Sequence, residues 1–464
     1  LGTVTLDVIP RPLRVTSFTP TDSGFRVAFD QALALAKLNL YGEAGQPAGA
    51  PDVELVGATT GRVRGSLVLD KDGQGFVFVR TGGVLPPDTY TLTVRSGANG
   101  AQSYFGGWLD GNGDGTSGDD YRTTFMVRAS DASVLSLPDV VRGPGQSASL
   151  PLSLTNAGGV TELRFDLLVT ETDLAISALR FADGVSGNIA IQAIAGGLRV
   201  EVLFDTPLGA GTRSPLIADV TVYEQSTYGT AHRITWGDIT LRRGNSGAME
   251  TVRGDDAVQV SAYFMDASGN GGYSMLDVQR LQRVVAGQDT GLSAYPTVDP
   301  ILIGDLNGNG QLTTLDVNRF LQFVQGQVRP EIPALPAGSS PLDFTGPARN
   351  IVLGGSRTAT AGTVIRVPLT LDDSSGVESL AAKLVYDASR LEYLGAKPGA
   401  DFQFRLIRER AGEIIVDLAR LAALGTGVGE LLTIDFQVRA AAPAGAALVD
   451  LQVLKLNDGR LVQA

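Results

Sequence analysis

From Val15 to about Val127 apolar and polar residues alternate in short runs, FRVAFD, VELVG, GSLVLD, GFVFVR and TYTLTV, broken by Gly, Pro, Asp and Asn about every ten residues. Alternation with period two marks half-buried strands, and closely spaced turns between them predict an all-β sandwich. The same texture returns in residues 130–262, with SLPLSL, VTELRFDLLV and VEVLFD, and in residues 347–464, with VIRVPLTL, LVYDASRLEYL and GELLTIDFQV. Residues 1–12, LGTVTLDVIPRP, alternate for one strand and then meet two prolines. They are expected to form a first strand or tether that pairs with an edge of the first domain, or with a neighbouring molecule by strand addition.

Between residues 263 and 330 the period changes. Val278, Leu281, Val284 and Val285 recur at helical spacing, as do Val317, Phe320, Leu321 and Val324, so two amphipathic helices are predicted. Each follows a short polar loop, and the whole pattern occurs twice. DASGNGGYSMLDVQRLQRVVAGQ begins at Asp266, DLNGNGQLTTLDVNRFLQFVQGQ at Asp305, and eleven of the twenty-three aligned positions are identical. Side-chain oxygens stand at loop positions 1, 3, 5, 9 and 12: Asp266, Ser268, Asn270, Ser274 and Asp277, then Asp305, Asn307, Asn309, Thr313 and Asp316. This spacing wraps a chain around a hard cation that wants many oxygen ligands, with a backbone carbonyl at position 7, here Gly272 and Gln311. Gly271 and Gly310 at position 6 permit the sharp turn. No helix is expected before either loop, since AVQVSAYF is strand-like and YPTVDPILIG holds two prolines.

A loop and exiting helix repeated after 39 residues, with Asp at position 12, resembles the dockerin family. The resemblance implies two Ca²⁺ ions, two helices packed antiparallel, and docking onto a cohesin domain. Its recognition positions fall on Met275, Leu276, Gln282 and Arg283, and on Thr314, Leu315, Leu321 and Gln322. The best-known dockerins carry Ser or Thr at the first two of these positions. The Met-Leu and Thr-Leu pairs here imply a more apolar partner face.

Residues 130–262 and 347–464 resemble cohesins, the latter through LVYDASRLEYL and GELLTIDFQV. Residues 13–129 resemble the bacterial Ig-like domains of surface-layer and other exported proteins, through FRVAFDQAL, LPPDTYTLTV and TTFMV. Before that last strand lies DGNGDGTSGDDY, where Asp110, Asn112, Asp114, Asp119 and Asp120 crowd together and suggest a third calcium site. Residues 331–346, rich in proline, read as a semi-rigid linker. The expected fold class is therefore mostly β: Ig-like and cohesin-like (jelly-roll) sandwiches around a small α-helical calcium module of residues 263–330.

The net charge of −12 and the lack of a basic stripe argue against nucleic acid and anionic membranes as partners. No apolar run reaches the ~18 residues of a transmembrane span. No cleavable signal is visible, so the numbering is expected to begin inside a longer or processed precursor. The absence of cysteine fits an exported protein stiffened by calcium instead of disulfides. Catalysis has little to work with: His232 is the single histidine and reads as structural, and zinc spacing and phosphate-binding glycine loops are missing. The aromatic residues, 6% of the chain, fall at strand spacing and read as core.

The sequence thus predicts a non-catalytic extracellular or cell-surface structural protein. Calcium-stabilised dockerin/cohesin-like contacts, in cis or with identical neighbours, would build a homopolymeric filament, sheath or surface layer. The alternative is a scaffold or adhesin segment that binds polysaccharide or presents other proteins.

Overall fold

The computed structural model describes residues 10–43, 50–169, 173–244, 247–339, 349–355, 358–410, 412–459 and 461. Residues 1–9 of the expected first strand and residues 340–346 of the expected linker 331–346 lie outside them. The fold is mostly β, three sandwiches around a small helical module.

In the first sandwich one sheet runs Val15–Pro20, Gly24–Phe29, Gly75–Arg80, Gly65–Leu69, and the other Gly61–Arg62, Val53–Gly57, Asp88–Val94, Tyr121–Val127. Strand Gly75–Arg80 is buried on both faces, and its period of two divides it between two cores. Phe76 and Phe78 enter the sandwich interior, where Phe78 stacks on its cross-strand partner Phe25 at 5.2 Å. Val77 and Val79 face the other way, into the core of the helical module.

The second sandwich pairs a seven-stranded with a five-stranded sheet, with Val160–Val169 inside the first and Ser147–Leu154 at the centre of the second. Its last strand, Ala257–Val260, also serves two cores: Ala257 packs inward while Val258 and Val260 pack on the helices. The terminal sandwich has sheets ordered Ile351–Leu353, Val364–Leu371, Gly429–Val438, Leu391–Pro398 and Phe404–Arg410, Glu413–Ala419, Ser379–Tyr386, Val449–Leu456.

The two predicted helices form as α1 (Met275–Val285) and, after a one-turn helix α2 (Pro300–Gly304), α3 (Thr314–Val324). The Asp277 carboxylate accepts from Ser274 N at 2.7 Å and that of Asp316 from Thr313 N at 2.9 Å, closing the orphan donors at both helix starts. α1 and α3 pack on each other through Val278, Leu281, Val317 and Phe320, all buried. Helix α2 corrects the expectation that nothing helical precedes the second loop. Asp299 caps it through Ile301 N at 3.1 Å, and Pro300 sits at the first helical position, where its missing N–H leaves no gap. Gly304 then turns the chain against α1, so close that an added Cβ would lie 2.7 Å from Leu281 Cδ2.

The helical module is wedged among all three sandwiches. Its α1–α2 connector meets the first, where Leu67 N donates to Thr297 O at 2.8 Å. There Asp299 also accepts from Arg64 Nη2 at 2.6 Å and Thr81 Oγ1 at 2.9 Å. α1 lies on strands Phe404–Arg410 and Glu413–Ala419 of the terminal sandwich. Residues 331–339 follow the second sandwich, with Ile332 buried and Ala334 O accepting from Gln146 Nε2 at 2.9 Å.

Candidate metal loops and docking face

Both duplicated loops fold alike, because the first Asp of each gathers the backbone N–H groups that follow it. Asp266 accepts from Gly269 N at 2.8 Å, Asn270 N at 3.2 Å and Gly271 N at 2.6 Å. Asp305 accepts from Gly308 N at 2.9 Å, Asn309 N at 3.2 Å and Gly310 N at 2.6 Å. The position-6 glycines take φ of +78° and +80°, the left-handed turn that favours glycine. The twelfth residue closes each ring: Asp277 accepts from Ser268 N at 2.8 Å and Asp316 from Asn307 N at 3.0 Å. Asp, Asn, Ser and Thr oxygens thus converge with the position-7 residues Gly272 and Gln311, whose N–H groups are held by Asn270 and Asn309. This is a hard-oxygen donor set that fits Ca²⁺.

The loops differ in burial. In the first, Asp266 and Asp277 are fully buried, and Ser268, Asn270 and Ser274 nearly so. In the second, Asn309 and Gln311 are exposed and only Asp316 is fully buried. Burial pushes both Asp266 and Asp277 upward, and the neighbouring charges of Asp266 and Asp458 push Asp277 further. Buried carboxylates so placed must be neutralised, by protons or by a cation.

The positions predicted to face a partner divide in the same way. Met275 and Leu276 are fully buried and Gln282 and Arg283 partly so. Met275 N donates to Asp417 Oδ2 at 3.1 Å, Ser274 Oγ to Asp458 Oδ2 at 3.0 Å, and Arg283 Nη1 to Leu421 O. Arg280 forks between Glu378 and Glu43 of the first sandwich. In α3, Thr314 and Leu315 are exposed, Leu315 by 52%, and Leu321 and Gln322 are half-buried. Sequence reasoning missed Asp417, Asp458, Glu43 and Glu378. Asp417 carried a signal, a lone acid inside the apolar run IIVDLA. Asp458 carried none.

In the acidic loop of the first sandwich, Asp110 is buried and accepts from Gly113 N and Gly115 N, but also from Arg14 Nε at 2.9 Å. Asn112 N bonds Asp119 and Ser96 N bonds Asp120, while hydrogen bonds from Thr116 N and Asn112 hold Asp114 below the usual carboxylate range. His232 is buried in strand Ala231–Arg243, beside Thr230 Oγ1 at 3.1 Å, and burial lowers its pKa. The reading of every aromatic residue as core needs correction. Tyr104 and Phe105 are 73% and 76% exposed and form an edge-to-face pair at 5.5 Å, with Trp108 43% exposed nearby.

No helix among the described residues is long and apolar enough to cross a membrane. No curated protein matches the chain. Among solved structures, a non-cellulosomal cohesin from the archaeon Archaeoglobus fulgidus is similar at 14% identity and TM-score 0.24, covering 28% of this chain and 89% of that one. A Coh-OlpA–Doc918 cohesin–dockerin complex from Clostridium thermocellum aligns at 13% identity and TM-score 0.26, covering 28% and 99%. The type II cohesin dyad from the ScaA scaffoldin of Acetivibrio cellulolyticus aligns over 70% of this chain and 89% of its own, at 10% identity and TM-score 0.21. Within the chain, the terminal sandwich, residues 350–462, matches the Cohesin domain family.

Proposed function

We propose that this is a non-catalytic, extracellular structural protein in which two calcium ions stiffen a helical joint holding three β-sandwiches. It assembles with identical neighbours into a filament, sheath or surface layer. The observation that carries this reading is the burial of Met275 and Leu276 at the start of α1, the helix that lies on the chain's own terminal sandwich. The α1 face is spent in cis, where it fixes the angle between sandwiches. The equivalent α3 face, with Leu315 exposed, is left to meet the sandwich of a neighbour. Head-to-tail contacts that do not close produce a fibre.

Calcium is assigned to the two duplicated loops. It is not assigned to the Asp110 loop, where the Arg14 guanidinium already compensates the buried carboxylate. Loops of this ligand charge bind in the micromolar to millimolar range and fill outside cells, which supports an extracellular location. Chelation of calcium is expected to reduce helical circular dichroism and particle size together; an assembly that persists unchanged in chelator refutes the reading.

The exposed Tyr104, Phe105 and Trp108 favour a second reading, a scaffold that holds polysaccharide by ring stacking. Sedimentation with insoluble cell-wall glycan separates the two: Phe105→Ala should release the protein from the pellet without lowering its stability.

A further inference from the structure

Asp458 lies 184 residues from the loop it touches, yet it is only 5% exposed. Its carboxylate accepts from Ser274 Oγ at 3.0 Å and also from Ser268. These are positions 9 and 3 of the first loop, so Asp458 sits between two residues whose oxygens converge on the cation position. It is held there by a stiff support. Asn457 and Asp458 both take left-handed backbone angles, φ +49° and +54°. The Asn457 side chain pins this turn to the sandwich, accepting from Glu378 N at 2.8 Å and Ser379 N at 3.0 Å and donating to Gly376 O at 2.8 Å.

The second loop supplies an internal comparison. Its backbone hydrogen bonds repeat those of the first within a few tenths of an ångström. There Asn307 Nδ2 and Thr313 Oγ1, at positions 3 and 9, both bond Asp316 of their own loop, at 2.6 Å and 2.7 Å. Among the described residues no acid reaches that pair from another module. The first loop has the shorter Ser268 where the second has Asn307, and Asp458 enters beside it.

We infer that Asp458 belongs to the cation site of the first loop, so that binding of the ion there and seating of the terminal sandwich on α1 form one coupled equilibrium. The inference rests on the reading that the loop takes calcium. Affinity at such sites rises with the number of charged ligands, and coupling between two binding events is reciprocal. Calcium therefore tightens the α1 contact, and the seated sandwich tightens calcium.

The test is calcium titration of the full chain by calorimetry, with the second loop silenced by Asp305→Ala. In that background Asp458→Asn is expected to weaken calcium binding roughly tenfold, a typical coupling between sites. Hydrogen exchange at Met275, whose N–H is given to Asp417, reads the other side of the equilibrium. Calcium should slow it in the parent and leave it nearly unchanged in Asp458→Asn. Normal calcium binding at the second loop of the single variant Asp458→Asn shows that the module still folds. Unchanged affinity at the first loop in Asp458→Asn overturns the inference alone, whereas a parent chain that takes up no calcium overturns the underlying reading with it.

Discussion

Arg280 Nη2 donates to Glu378 Oε2 at 2.7 Å, and the same guanidinium reaches Glu43 Oε2 through Nη1 at 2.8 Å. One planar group on α1 thus joins the first and terminal sandwiches. The Glu43 side chain is 4% exposed and the Glu378 side chain 17%, so removing the arginine strands both charges away from water. Arg280→Ala should destabilise the chain by about 3 kcal/mol, the usual result of breaking a buried pair from one side. Urea unfolding measures it. Arg280→Lys should restore only part, because an ammonium cannot fork to two carboxylates.

Gln279, also on α1, is fully buried, and among the described residues neither its Oε1 nor its Nε2 has a hydrogen-bond partner. An unpaired buried amide costs about 1–3 kcal/mol. Gln279→Met keeps the length and removes the polar atoms, so it is expected to raise stability by about 1 kcal/mol. Thermal unfolding in saturating calcium checks the sign; a lower melting temperature would show that the amide is used.

The joint between the first and second sandwiches should respond to pH. Asp139 is partly buried, and its loss of hydration, with smaller contributions from Asp255 and Asp299, pushes it up to about 7 against the opposing hydrogen bond from Val258 N. The folded chain therefore keeps a proton between pH 3.8 and about 7 that the unfolded chain has lost, and stability falls as pH rises through that window. Between pH 5 and 8 the loss from this group is roughly 2–3 kcal/mol. Asp139→Asn keeps the acceptor for Val258 and removes the titration. The difference between the two unfolding curves, taken in saturating calcium, should shrink by that amount as pH falls from 8 to 5.

Much of the centre of the molecule was legible in the sequence. The duplicated loops are built locally: Asp266 and Asp305 each gather three N–H groups, those of the third to fifth residues that follow, so close spacing dictates their shape. Helices α1 and α3 follow from that, since the ninth residue of each loop, Ser274 or Thr313, is also the helix N-cap and the twelfth, Asp277 or Asp316, closes the capping box. Helix α2 was hidden by its prolines, although Asp299-Pro300 is itself a helix-start signal. The contact between α1 and the terminal sandwich could not be read, because Asp417, Asp458 and Glu378 lie 98 to 184 residues from their partners and local pattern does not encode that distance. The Tyr104 and Phe105 pair was misread because strand-like spacing does not say which face meets water.

Asp299 serves two masters: its carboxylate caps α2 and at the same time receives Arg64 and Thr81 from the first sandwich. Swinging that sandwich away would pull the carboxylate off the turn whose start it secures, and the turn leads straight into Asp305. A change of angle between distant parts of the molecule would thereby reach the mouth of the second loop through one carboxylate.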